Sequence, residues 1–467
     1  MLIRTAVLLL VATLAPSSGS AQVVGSRSDL AITRATVVDV VTGDRRPNQT
    51  ILIAGNRIRA IGPTGTVAVP PRMRVLDAAG KFVIPGLWDM HVHPVRHDLD
   101  FPMEIANGVT GVRDMGGSTQ YPPPGNWGIQ FDSLRAWRSA IRSGAMVGPR
   151  IIAGGVALDG PKPYWPQTLA LQTPAEARRV VDSLRAAGVD FIKVYGLLPK
   201  DILQAIAERA RATGIPFAGH LSSSVTLEEA AALGQRSVEH ANAFDASSFD
   251  PAVSAARRPM KELLATFDST RLDQATKALA STQMWSDPTL VALRSLTLPL
   301  DSVGSDTARL AAYTPPRIRK VWSDRLAGMV QAETAPDWAH RLRLWEHAVR
   351  AAGRSGVKLL VGSDAWNPYV MPGFGLHREM ELLALQGISP LTVLRSATLG
   401  ATEYLGLTDS LGTVAPGKLA DLVLLDADPL REITNVRRVH AVIADGRLLV
   451  RRDLDTLLAR ARASAGR

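Results

Sequence analysis

Short runs of β-branched and aliphatic residues alternate with longer amphipathic runs along most of this chain, and its two ends read differently from its middle. From Asp29 to Val83 the pattern is strand, turn, strand: "AITRATVVDV", a turn at Gly43 and Asp44, "ILIAGNRIRAIGP", then "RVLDAAGKFVIPG". This is the signature of a small antiparallel β unit. A similar pattern returns near the other end in "GTVAPGKLADLVLLDADP" and "VHAVIADGRLLV". Two distant β segments flanking a large middle predict one composite β-sandwich domain made from residues 22–85 and 411–467.

Between them, eight β-rich runs alternate with helical ones: Leu87 to His93, Thr110 to Met115, Arg150 to Gly154, Asp190 to Tyr195, Pro216 to Leu221, Ser237 to Asn242, Thr282 to Leu290 and Lys358 to Ala365. The alternation predicts an α/β fold, a TIM-type (β/α)8 barrel over residues 86–410. Helical runs such as "TPAEARRVVDSLRAAG" and "PKDILQAIAERARATG" open on Thr or Pro and close on Gly, as capped crossover helices do. Residues around 251–345 read as a helical insert suited to a lid.

Composition narrows the setting. A chain of 467 residues that is 46% hydrophobic suits a packed globule with more than one core. Residues 1–21 carry Arg4, an apolar run from Ala6 to Ala15 and small residues ending in Gly19, Ser20 and Ala21, the order of a signal peptide cut before Gln22. The expectation is an exported protein, periplasmic or secreted, and soluble once processed. With no cysteine, disulfides, thiolate metal ligands and a cysteine nucleophile are excluded. The net charge of +10 comes chiefly from arginines spread along amphipathic runs, without the clustered basic stretches that nucleic acid or an anionic membrane would call for. A small-molecule substrate is the expected partner, and a homo-oligomer is left open.

The candidate chemistry lies at the predicted strand ends, where barrel active sites form. In "GLWDMHVHP", His91 and His93 are two apart, so both side chains leave one face of the first strand and can hold one cation. Lys193 ends the fourth strand, His220 the fifth, His240 the sixth and Asp364 the eighth. A lysine in an apolar strand end is costly unless paired or chemically changed. Tyr195 shares the face of Lys193 and offers a hydroxyl to a developing oxyanion, or packs at the rim. Arg113 and Asp114 form an ion pair or line the pocket, where the arginine would capture a carboxylate. Tyr164 and Trp165 lie on a loop at the site mouth or simply pack it. His377 lies on a helical pattern beyond the eighth strand, as a helix-start residue or one that supports a ligand from behind.

These residues carry a resemblance. The chain resembles the amidohydrolase superfamily, especially its imidazolonepropionase-like and prolidase-like members, through "PGLWDMHVHP", "GVTGVRDMGG", "FIKVYG", "GHLSSSV", "SVEHANAF", "GSDAWNP" and the tail "SATLGATEYLGLTDSLGTVAPGKLADLVLLDADP". The resemblance implies a site with two divalent metal ions, usually zinc, bridged by a carbamylated lysine. Mapped here, His91, His93 and Asp364 hold one ion, His220 and His240 the other, and Lys193 both. It also implies hydrolysis by water activated between the ions, with Asp364 as ligand and proton shuttle. Export and broad pocket loops point to an amide or peptide C–N bond, as in a dipeptide or N-acyl amino acid, and Tyr195 is the expected catalytic helper by its position. No substrate-binding arginine or histidine can be matched to the family. A lactonase or phosphoester hydrolase on the same site, a one-metal deaminase and a non-catalytic binding protein are the alternatives.

Overall fold

The computed structural model describes residues 27, 29–116, 131–165, 168–250, 252–253, 259–297 and 310–466. The expected signal peptide and parts of the 251–345 insert lie outside them.

The alternating pattern at the two chain ends resolves into one eight-stranded sheet. Its strands are β1 (Leu30–Val38), β2 (Arg45–Ala54), β3 (Arg57–Pro63), β4 (Arg74–Asp77) and β5 (Phe82–Pro85) from the first part of the chain, and β15 (Leu422–Leu425), β16 (Val439–Ala444) and β17 (Arg447–Val450) from the last. The order is β17-β16-β15-β5-β1-β2-β3, with β4 also on β1. The junction between the two parts is antiparallel, Leu422 opposite Pro85 through Leu425 opposite Phe82. Ile32, Ile51, Val83, Leu422 and Ile443 pack together on one side of this sheet.

The middle is mixed α/β. Here β6 (Leu87–Val92), β7 (Val109–Asp114) and β8 (Arg150–Ala153) form a parallel three-stranded sheet. A second parallel sheet contains β9 (Leu158–Asp159), β10 (Leu169–Ala170), β11 (Ile192–Val194), β12 (Phe217–Gly219), β13 (Ser237–Glu239) and β14 (Trp285–Asp287). Backbone hydrogen bonds link the two: Asp190 N–H donates to Ala153 O at 2.9 Å on one side. On the other, Leu360 N–H donates to Ser286 O at 2.9 Å and Met90 N–H to Val361 O at 2.9 Å. The eighth expected run, Lys358 to Ala365, is therefore extended chain held by isolated bridges and not a ladder strand. The seventh is shorter than expected: β14 stops at Asp287, and Leu290 already begins the helix Leu290–Thr297.

The crossover helices follow their caps. In Pro174–Ala187 the Thr173 hydroxyl accepts the Glu176 N–H, and Gly188 closes the helix at φ 84°, a left-handed turn that glycine takes without steric cost. Apart from β14, the insert's described elements are helices, among them Met260–Leu264, Ser269–Ala280, Pro316–Ala332 and Ala335–Ser355. A C-terminal helix, Arg451–Ala465, has no counterpart in the β-only reading of the tail. It packs Ala461 and Ala465 against Leu99 and Met103 of the helix His97–Ala106. Among the described residues no helix is long and apolar enough to cross a membrane.

Candidate metal centre

The C-terminal ends of β6, β11, β12 and β13 meet the turn that follows Val361, and two glycines set the approach. Gly219 closes β12 at φ 148°, where a Cβ would fall 2.0 Å from Val194 O. At Gly362 a Cβ would fall 2.4 Å from an Asp287 oxygen and 2.5 Å from the His91 Cβ. Only the absence of a side chain lets the 362–364 turn reach β6. Asp364 N–H then donates to His91 O at 2.7 Å. Both His240 and Asp364 take left-handed backbone, φ 68° and 55°, a conformation that costs a residue with a Cβ and is concentrated at functional sites.

The predicted imidazoles form a continuous row. Ring centroids are 5.3 Å apart from His93 to His91, 4.8 Å from His91 to His240, and 4.5 Å from His240 to His220. Asp364 faces the row: Oδ1 lies 3.3 Å from His93 Nε2 and 3.7 Å from His91 Nε2, and Oδ2 lies 3.8 Å from His240 Nδ1. Ligand atoms of His91, His93 and Asp364 all fall within 4.8 Å of one another. Lys193, 1% exposed, is close enough for its charge to act on His91, His220, His240 and Asp364.

Protonation follows from burial. His91 and His220 are pushed well below the ordinary imidazole value by burial and then by the Lys193 charge, and His240 is pushed down to about 4. All three are neutral near pH 7. His93 Nδ1 donates to Gly116 O at 2.8 Å, which fixes the ring with Nε2 turned toward Asp364. Burial works against the Asp364 carboxylate, but the His93 hydrogen bond and the charges of His240, His93 and Lys193 outweigh it and hold the group below its ordinary value. Burial brings Lys193 down to about 8. Its Nζ and the His220 Nδ1 are buried with no hydrogen-bond partner, a costly arrangement for bare polar atoms. Neutral imidazole nitrogens, one carboxylate and an unpartnered amine make a donor set fitted to borderline divalent cations such as zinc.

Tyr195 turns its ring onto His220, with centroids 3.9 Å apart, and its hydroxyl accepts the Trp165 indole N–H at 2.5 Å. Trp165 thus reaches the site. Tyr164 is 67% exposed, with its ring edge on Trp165. His377 Nε2 donates to Asn107 O at 2.8 Å within the helix Phe374–Leu385, away from the row.

The sequence reading of Arg113 needs correction. It does not pair with Asp114, whose carboxylate accepts the Gly116 N–H. Arg113 is fully buried and donates to Glu239 at 2.8 Å, Asp287 at 3.4 Å, Ser237 at 2.9 Å, Tyr404 at 2.8 Å and Met90 O at 2.6 Å. It is sealed from any substrate carboxylate. Glu239 and Asp287, which the sequence reading passed over, lie beneath the row, Glu239 3.2 Å from His91 Nδ1. With His91 they form a second acidic cluster, but the guanidinium is the cation this pair already holds. The missed signal was an acidic residue inside each of two apolar strand runs, "SVEHAN" and "MWSDP".

The chain is similar to several known proteins. Adenine deaminase 3 of Rhizobium meliloti (strain 1021) is 24% identical over 438 residues, covering 88% of this chain and 57% of that protein. The chain spans little more than half the length of that relative. N-acyl-D-glutamate deacylase of Alcaligenes xylosoxydans xylosoxydans is 24% identical over 467 residues, covering 86% of this chain and 88% of the relative. The solved structure of a bottromycin amidohydrolase superposes with a TM-score of 0.74 at 27% identity, covering 94% of this chain and 91% of that one. The sequence profile described as Amidohydrolase family matches residues 82–449, and the chain belongs to that family of metal-dependent hydrolases.

Proposed function

We propose that this chain is a (β/α)8-barrel amidohydrolase that hydrolyses an amide or peptide-type C–N bond in a small molecule, a dipeptide or N-acyl amino acid, at a centre for two divalent ions. The observation that carries the reading is Lys193: a buried amine among four histidines and Asp364, brought down to about 8, with no partner for its Nζ. Carbamylated by carbon dioxide, Lys193 would turn from a cation into an anion and could serve both ions, with His91, His93 and Asp364 as the residues that would hold one and His220 and His240 the other. The hydrogen bonds that join β8 to Asp190 and β14 through Leu360 and Val361 back to Met90 support closure of the strands into a barrel. The deacylase and the bottromycin amidohydrolase among its relatives support the bond type. We also propose export, on the leader-like first residues alone.

When bound, the ions supply Lewis-acid polarisation of the carbonyl and a nucleophilic water near neutral pH. The chain does the rest. Asp364, ionised and facing the row, takes the proton of the attacking water on a carboxylate oxygen and delivers it to the departing amine. Tyr195, pushed above its ordinary value by burial, stays protonated. Because its oxygen already accepts from Trp165, its own O–H proton is available for the carbonyl oxygen.

The test is a panel of dipeptides, N-acyl amino acids, lactones, an aryl phosphotriester and adenine, assayed with and without chelation. Cleavage of dipeptides or N-acyl amino acids that is lost on chelation and restored by metal supports the reading. Turnover only of lactones, the phosphotriester or adenine overturns it.

A further inference from the structure

One cation from the helical insert is carried to the edge of the metal centre. Arg325, in the helix Pro316–Ala332, is half-buried, and its Nη1 donates to Asn367 Oδ1 at 2.9 Å. Its guanidinium carbon lies 5.4 Å from the centroid of the Trp165 ring. Both partners lead directly to the site. Asn367 Nδ2 donates to the backbone carbonyl of Asp364 at 2.9 Å. Trp165 donates to the Tyr195 hydroxyl at 2.5 Å, and the Tyr195 ring lies against His220. The Arg325 charge is near enough to bear on the Tyr195 hydroxyl. Arg325 therefore bridges the two flanks of the row, the Asp364 turn and the Trp165 loop.

Among the described residues no carboxylate pairs with Arg325, whereas the neighbouring Lys320 on the same helix pairs with Asp324. The one described hydrogen bond, to Asn367, leaves most of its five N–H donors available in a planar fork that suits a carboxylate. An indole face beneath a guanidinium holds it in place without neutralising it. A fixed cation at the edge of a site that gathers cations is repelled by its contents unless an anion comes between them.

We infer that Arg325 binds the free carboxylate of the substrate and so selects carboxylate-bearing amides over neutral amides and purines. This rests on the amide-hydrolase reading above and names the residue that holds the carboxylate of its dipeptide or N-acyl amino acid. Arg325 is the substrate-binding arginine that motif matching does not find, because it is supplied by the insert and not by a barrel strand.

The experiment compares metal-loaded wild type, Arg325→Gln and Arg325→Lys on an N-acyl amino acid and on the N-acylamine that differs only by lacking the carboxylate. The readout is the ratio of kcat/KM for the two. A charge-assisted hydrogen bond makes the wild-type ratio fall about 10- to 100-fold in Arg325→Gln, chiefly through KM, with partial recovery in Arg325→Lys. An equal loss on both compounds, or an unchanged ratio, overturns the inference. Binding of the two matching amines, with CH2–NH in place of CO–NH, is measured by calorimetry on the same proteins. If the wild type cleaves neither amide, the hydrolase reading fails and these amines alone decide. A carboxylate preference that disappears in Arg325→Gln upholds the anion site, and equal binding of both by the wild type overturns it.

Discussion

Replacing Arg113 by methionine keeps an unbranched stem and removes only the guanidinium, which isolates what that cation does beneath the metal centre. Glu239 and Asp287 are both fully buried, and Arg113 is the basic side chain that bonds them. Asp287 is already well above its ordinary value because burial and the Glu239 charge outweigh the arginine. Breaking a buried ion pair by removing one partner leaves an uncompensated charge and costs about 3–5 kcal/mol. The orphaned hydroxyls of Ser237 and Tyr404 still bond each other at 2.9 Å, so they add little to that figure. The assay is urea denaturation of chelated protein followed by tryptophan fluorescence, so that metal loading does not contribute. The pH dependence gives an independent sign. Without the guanidinium Asp287 rises further above its unfolded value, and a group so raised stabilises the fold below the unfolded value and loses that contribution as pH rises through the folded one. The gap between wild type and Arg113→Met therefore narrows as pH falls from 8 to 5. A loss below about 1 kcal/mol, or a gap indifferent to pH, refutes the reasoning.

Two further predictions concern the chemistry directly. Burial lowers Lys193 to about 8, so at fixed dissolved carbon dioxide the rate of carbamate formation rises about tenfold per pH unit below 8 and levels off above it. Stopped-flow metal loading reads this, and a rate still climbing steeply past pH 9 contradicts it. Tyr195→Phe removes the O–H left free by Trp165 and is expected to lower kcat about 10- to 100-fold with little change in KM. An unchanged kcat removes Tyr195 from the reaction.

The alternation of apolar runs located the parallel strands because strands buried on both faces are short, continuous and β-branched. It overreached at Thr282 to Leu290, where Pro288 ends the strand and Thr289, at φ 47°, turns the chain into a helix. Lys358 to Ala365 has strand composition yet makes only isolated bridges, since the chain must leave the ladder to place Asp364. The helix Arg451–Ala465 went unread because it is rich in arginine and its apolar side is narrow, set by Leu454, Leu457 and Ala461. In the site, His91, His93, Lys193, His220, His240 and Asp364 were legible because each is a polar residue at an apolar strand end. The partner of Arg113 was not legible: Asp114 is its neighbour in sequence, but adjacent strand residues face opposite sides, and the true partners come from strands more than a hundred residues away. Arg325 was hidden for the related reason that an insert helix carries no periodic mark of what it covers.

The central claim is a centre for two metals that depends on Lys193, and metal content measured by elemental analysis on wild type and Lys193→Ala tests it most directly. The account predicts two divalent ions per chain in the wild type and a clear loss in the variant, with dipeptide or N-acyl amino acid hydrolysis falling alongside. A single ion per chain that persists in Lys193→Ala contradicts it and moves the site to one-metal, deaminase-like chemistry.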